Sequence, residues 1–179
     1  LAPDDIVISD VGAHKLWISR MYPARRPNTV IISNGFASMG IGLPGAVAAK
    51  LVHPDRTVVT VSGDGGFLMN VQELETAKRI GAPVVCIVWV DGGYGLIEWK
   101  ESGQFGHTFG TAFGNPDFLK LADAFGIPGF QVTDGAEIEA VLREAIATGQ
   151  PSIVAIPVDY RENLTLKKQL GDMTPGVER

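Results

Sequence analysis

Apolar residues along this 179-residue chain gather in short unbroken runs rather than alternating with polar ones. Four runs stand out: Ile6-Val7-Ile8, Thr29–Ser33, Thr57–Ser62 and Pro83–Val90, with a weaker one at Phe130–Val132 and a sixth at Ser152–Val158. Runs of this kind are expected of strands covered on both faces of a parallel sheet. Helical periods lie between them. Phe67, Val71 and Leu74 recur at i, i+4 and i+7, with Glu75 four residues before Arg79, which predicts one amphipathic helix beginning near Phe67. Phe118, Leu121, Ala122 and Phe125 form a second stripe, with Asn115 as its expected cap and Pro116 at the first helical position. Ile138, Val141, Leu142, Ala145 and Ile146 form a third, opened by Asp134 and Glu137 at capping-box spacing. The alternation predicts an α/β fold: an open parallel sheet of about six strands with helices on both faces. Residues 1–158 would make up this domain. Asp159–Arg179, mixed in charge and without a long apolar stripe, would be a tail over its surface.

Composition narrows the function. Hydrophobic residues are 45% and charged residues 20%, a globular balance. A net charge of -5 argues against nucleic acid, whose phosphates call for a basic face. The single cysteine, Cys86, lies inside an apolar run and has no internal partner, so the chain reads as cytoplasmic and reduced. No apolar run approaches the roughly 20 residues that span a bilayer, so no membrane role is expected. Leu1–Asp5 lacks the basic-then-apolar pattern of a signal peptide, and the missing initiator Met suggests a piece of something longer.

Ligands in open parallel sheets bind beyond the carboxyl ends of the strands, and three such ends carry unusual residues. Ser33–Gly45 is glycine-rich and leads into a helix, which suits close backbone approach to a ligand; the plainer reading is a tight loop with close packing. Gly40-Ile41-Gly42 lacks the third glycine of a dinucleotide fingerprint, and there is no Walker-type lysine. Ser62-Gly63-Asp64-Gly65-Gly66 and Val90-Asp91-Gly92-Gly93-Tyr94-Gly95 each set a carboxylate among permissive backbone, and each alone reads as a turn. Together they say more. Consecutive parallel strands would bring Asp64 and Asp91 to one edge, where two carboxylates favour a magnesium ion bridging to a diphosphate.

Gly63-Asp64-Gly65, a spacer of 24 residues (66 through 89) and then Val90-Asp91 resembles the cofactor motif of the thiamine-diphosphate-dependent enzymes. In that motif the spacer ends in an Asn-Asn pair; here Val90 stands in place of the first and Asp91 in place of the second. Asp10-Val11-Gly12-Ala13-His14, Ala37-Ser38-Met39-Gly40 and Gly66–Ala77 extend the resemblance. Phe113–Phe118 and Ile156–Asn163 place it nearest the catabolic, FAD-independent acetolactate synthases. The resemblance implies thiamine diphosphate and Mg2+ as cofactors, with FAD not expected. It implies Asp64, Asp91 and the carbonyl of Gly93 as metal ligands. His14, the Gly65-Gly66 backbone and Tyr94-Gly95-Leu96 would hold the diphosphate. Met39 would lie beneath the bent cofactor, and the Ala37 carbonyl, with Ser38 beside it, would meet the aminopyrimidine. Met39 as ordinary core remains the bland alternative.

The same resemblance implies that a pyrimidine-binding domain of a second subunit, which supplies the activating glutamate, and a middle domain are absent from this stretch. No catalytic residue is therefore assigned within it. The intact enzyme would condense two molecules of pyruvate to 2-acetolactate and CO2, as a homodimer or homotetramer. The alternatives are another thiamine-diphosphate 2-oxoacid decarboxylase or carboligase, with this domain as a separately encoded subunit, and a non-catalytic magnesium-nucleotide module. Trp99–Phe113, which holds Phe105, His107 and Phe109, reads as a surface loop with a solvated histidine, and the resemblance implies a mobile part of the substrate entrance there.

Overall fold

The structure, a computed structural model, describes residues 1–160 and Asn163. Six strands form one all-parallel sheet: β1 (Ile6–Ser9), β2 (Val30–Ile32), β3 (Val58–Gly63), β4 (Val84–Val90), β5 (Gly129–Gln131) and β6 (Ser152–Pro157). Their order across the sheet is β2-β1-β3-β4-β6-β5. The chain leaves β1 toward one edge and returns to β3 on the other side of it, so the direction of winding reverses between β1 and β3. That reversal opens a crevice at the carboxyl ends of these two strands.

Among the described residues, six helices cover the sheet. On one face α2 (Gly42–Val52), α3 (Asp64–Met69), α4 (Glu73–Arg79) and α6 (Phe118–Phe125) bury Leu43, Phe67, Leu74 and Ala122 against Ile6, Val58, Cys86 and Ile153. On the other, α1 (His14–Met21) and α7 (Ile138–Ala147) pack Ile18 and Ala145 against Val7, Val59, Ile87 and Val154. Residues 58 and 59 thus enter opposite cores, which is why the strands read as continuous apolar runs. Gly42 lets α2 lie close on the sheet, since a Cβ there would come within 2.6 Å of Thr60 Oγ1. Burial pushes the Cys86 thiol up to about 12, so it packs as an inert apolar group.

Three expectations are corrected. The Phe67–Leu74 stripe is two helices, not one: the chain breaks at Asn70, whose side chain turns away to donate to the Gly40 carbonyl at 2.9 Å. The cap of α6 is Asp117, accepting from Leu119 N and Lys120 N, whereas Asn115 points elsewhere. Part of the expected loop is helical, because α5 spans Gly95–Phe105, with no buried residue to announce it. Within the expected tail, the Tyr160 ring lies beside Trp89 at the carboxyl end of the sheet, and buried Asn163 accepts from Trp17 Nε1 at 2.6 Å. The rest of that tail lies outside the described residues. The capping box of Asp134 and Glu137 is present, closing a 3-10 turn ahead of α7. Among the described residues no helix is long and apolar enough to cross a membrane.

Candidate functional site

A cavity of about 200 Å3 opens at the carboxyl edge of the sheet, where the winding reverses. Its wall is built in register from successive strand ends. Val11–His14 follow β1, Ala37 and Met39 follow β2, Gly63 ends β3 with Asp64–Gly66 after it, Asp91 and Gly93–Ile97 follow β4, and Tyr160 follows β6. Gly63 pairs with Trp89 in the β3–β4 ladder, so Asp64, one residue further, and Asp91, two residues further, come together beyond it. Asp64 Oδ2 accepts from Asp91 N at 3.1 Å and Gly92 N at 2.8 Å.

Two carboxylates this close disfavour each other's charge. Partial burial and the neighbouring Asp64 raise the Asp91 carboxyl to about 6. Tyr160, also in the wall, is pushed up by burial and by the same two carboxylates. The opposite wall answers this negative corner. Helices α1 and α5 both begin at the cavity, and neither amino end is closed by a side-chain cap, unlike α6. Their positive dipole ends suit an anion. His14, the first residue of α1, is 1% exposed, and neither ring nitrogen has a hydrogen-bond partner among the described residues. Desolvation lowers its pKa to about 4, so the imidazole is neutral at physiological pH, one nitrogen a donor and the other an acceptor.

The residues therefore fit a metal-bound diphosphate. Among the described residues no cluster of three or more His, Cys, Asp or Glu gathers, so a metal here would have two carboxylates and must draw its other ligands from carbonyls, water or phosphate oxygens. That is how Mg2+ is commonly held beside a phosphate. The floor also needs glycine: a Cβ on Gly65 would lie 2.8 Å from the Tyr94 ring, and one on Gly66 2.9 Å from Asp10 Oδ2. The buried nitrogens of His14 supply a polar contact that no described residue takes up.

Comparison with known proteins now decides the family. Residues 10–156 match the family described as thiamine pyrophosphate enzyme, C-terminal TPP binding domain. The chain belongs to that family. It is 46% identical over 175 residues to the catabolic acetolactate synthase of Raoultella terrigena, covering 94% of this chain and 31% of that protein. It is 42% identical to the acetolactate synthase of Bacillus subtilis (89% and 28%) and 39% identical to the large subunit of acetolactate synthase isozyme 2 of Escherichia coli (90% and 30%). The chain thus spans about a third of the length of these relatives.

Within this thiamine-diphosphate-binding domain, His14, Ala37, Met39, Asp64, Gly65, Gly66, Asp91, Gly93, Tyr94, Gly95 and Leu96 all stand on the one cavity. Ser38 does not: it is exposed and outside the lining. The loop that carries it is unusually fixed. Ala37 adopts φ +54, a conformation costly for a residue with a Cβ, and Gly40 (φ +88) is held through its N–H by Asp10 at 2.9 Å and through its carbonyl by Asn70. Sequence reading missed Tyr160 and Asn115. Tyr160 follows a strand end, as Asp64 and Asp91 do, and that position was its available signal. Asn115 Nδ2 donates to Asp64 Oδ2 at 2.6 Å across 51 residues of sequence, and no local pattern marks it.

Proposed function

We propose that residues 1–158, with Tyr160 returning to the site, form the cofactor-binding domain of an acetolactate synthase that condenses two pyruvates to 2-acetolactate and CO2 with thiamine diphosphate and Mg2+. The observation that carries the cofactor reading is the Asp64–Asp91 pair, hydrogen-bonded together at the rim of a cavity whose other wall is two uncapped helix ends and an unpartnered imidazole. The identity of 46% to a catabolic acetolactate synthase supports the choice of reaction; a cytoplasmic enzyme without FAD is part of the same reading.

In this reading Asp64, Asp91 and the Gly93 carbonyl hold the cation, which neutralises the repulsion that raises the Asp91 carboxyl. His14, Gly65, Gly66 and the amino end of α5 at Tyr94–Leu96 hold the diphosphate oxygens. Met39 and the Ala37 carbonyl meet the organic end, aimed by the bonds that clamp Gly40. The cofactor supplies the electron sink for loss of CO2 from a 2-oxoacid; this chain anchors and orients it. The pyrimidine-binding domain of a second subunit and a middle domain complete the enzyme, assembled as a homodimer or homotetramer.

Calorimetry with thiamine diphosphate, with and without Mg2+ and with ADP as control, tests the cofactor reading. Mg2+-dependent binding of thiamine diphosphate alone is expected, and equal binding of ADP overturns it. The full-length protein is expected to convert pyruvate to 2-acetolactate. Acetaldehyde as the only product would move the assignment to a 2-oxoacid decarboxylase.

A further inference from the structure

The segment Thr111–Asn115 joins α5 to α6, yet its bonds run to the loops that carry the carboxylates. Thr111 O accepts from Tyr94 N at 2.8 Å, and Phe113 N donates to Gly92 O at 3.0 Å. Ala112 pairs with Gly93 in an isolated antiparallel bridge, and the Phe113 ring lies 4.9 Å from that of Tyr94. The segment is a strap across the Asp91 arm. Its last residue reaches the other arm, where Asn115 Nδ2 donates to Asp64 Oδ2 at 2.6 Å.

That bond changes what Asp64 can offer. Oδ2 already accepts from Asp91 N and Gly92 N, so the amide of Asn115 is its third donor. A carboxylate oxygen has about two lone-pair sites, so Oδ2 is fully engaged. Oδ1 has a single donor, Gly65 N at 2.8 Å, and keeps a free direction. The amide orientation follows from charge, because the flipped form would set a carbonyl oxygen against a carboxylate oxygen. In the orientation present, Asn115 Oδ1 is buried with no partner among the described residues. The side chain sits there for its N–H alone.

We propose that Asn115 is a positioning residue for the divalent cation: by saturating Oδ2 of Asp64 it leaves Oδ1 as the oxygen presented to the metal, and through the strap it sets that oxygen against the Asp91 arm. This rests on the reading of Asp64 and Asp91 as cation ligands. Groups that orient a metal ligand commonly change affinity by about 10- to 100-fold when removed.

The test uses the full-length protein with saturating thiamine diphosphate and Mn2+ as the probe, followed by electron paramagnetic resonance. Asn115→Ala is expected to weaken Mn2+ binding by about tenfold or more. It should also change the line shape of bound Mn2+, a readout that a loss of stability alone would not move. Asn115→Ser stays polar but is too short to reach Asp64; it gives the same loss and serves if the alanine variant folds poorly. Parent-like Mn2+ affinity and line shape in both variants overturn the role of Asn115 and leave the carboxylate reading standing. Absence of Mn2+ binding in the parent overturns both.

Discussion

Asp10 and Asp64 end neighbouring strands, β1 and β3, and are equally hidden, at 0% and 1% exposure. Their surroundings differ. The Asp10 carboxylate accepts from Val11 N at 2.7 Å and from Gly40 N at 2.9 Å; burial raises its pKa, and those bonds oppose the rise. It does not line the cavity. Asp64 lines it, keeps one oxygen lightly used and faces a second carboxylate. Burial alone therefore does not make an aspartate a ligand. What distinguishes Asp64 is an open direction beside a neighbouring negative charge.

Exchanging charge for shape separates the two sites. Asp64→Asn can keep an oxygen toward Asp91 N, Gly92 N and Asn115 while turning an N–H toward the cation position. Calorimetry should show Mg2+-dependent thiamine diphosphate binding weakened by about 100-fold or more, since a charged ligand has become a donor. Gly65 N loses its acceptor, but the repulsion with Asp91 is removed as well, so the unfolding midpoint should move little. Asp10→Ala should act first on stability, costing about 2 kcal/mol in a urea titration because the Gly40 and Val11 N–H groups lose their acceptor. An Asp10→Ala chain as stable as the parent would erase the contrast.

The pH response sharpens it further, because two groups at the cavity act in opposite directions. The Asp91 carboxyl is raised from 3.8 to about 6, so between those values the folded state holds the extra proton. Its contribution makes the metal-free chain more stable as pH falls through 6 toward 4. His14 is lowered from 6.5 to about 4, so there the unfolded state takes the proton, and its contribution falls over nearly the same window. In metal-free melts, His14→Gln should gain stability on acidification from pH 7 to 5, and Asp91→Asn should lose it. Cation affinity should weaken below about pH 6, where Asp91 protonates. Parallel pH profiles for the two variants would show that the pair does not control this response.

The sequence carried the sheet because each strand is a local apolar run, and it carried α7 because its capping box is local too. Strand order was not legible: nothing in β1 says that β3, not β2 alone, lies beside it. The meeting of Asp64 and Asp91 followed from two strand ends separated by one helical crossover, a short-range inference. Asn115 looked like a cap because it precedes Pro116, but Asp117 took that role and freed its amide for a contact 51 residues away. Helix α5 went unseen since it buries no residue, and helical stripes are read from burial. The left-handed Ala37 was equally silent, because an alanine gives no sign that a loop is held against its preference.

The smallest effect tests what the Asp10 carboxylate is holding. Ala37 at φ +54 pays a steric cost of roughly 1 kcal/mol, which glycine would remove. Glycine also gives the unfolded chain more freedom, by about 0.5–1 kcal/mol, so the net gain from Ala37→Gly should be a few tenths of a kcal/mol. The strain persists because the loop is pinned three residues on, at Gly40, by Asp10 from one side and Asn70 from the other. If that pin enforces the left-handed turn, Asp10→Ala lets Ala37 relax and the glycine substitution then has nothing to relieve. A double-mutant cycle in urea should show the gain vanishing or reversing in the Asp10→Ala background, a coupling of about 0.5 kcal/mol or more between residues that share one loop. Strict additivity would mean that Asp10 only fills its own hydrogen bonds, and that the turn before Met39 is set by something other than the carboxylate at the end of β1.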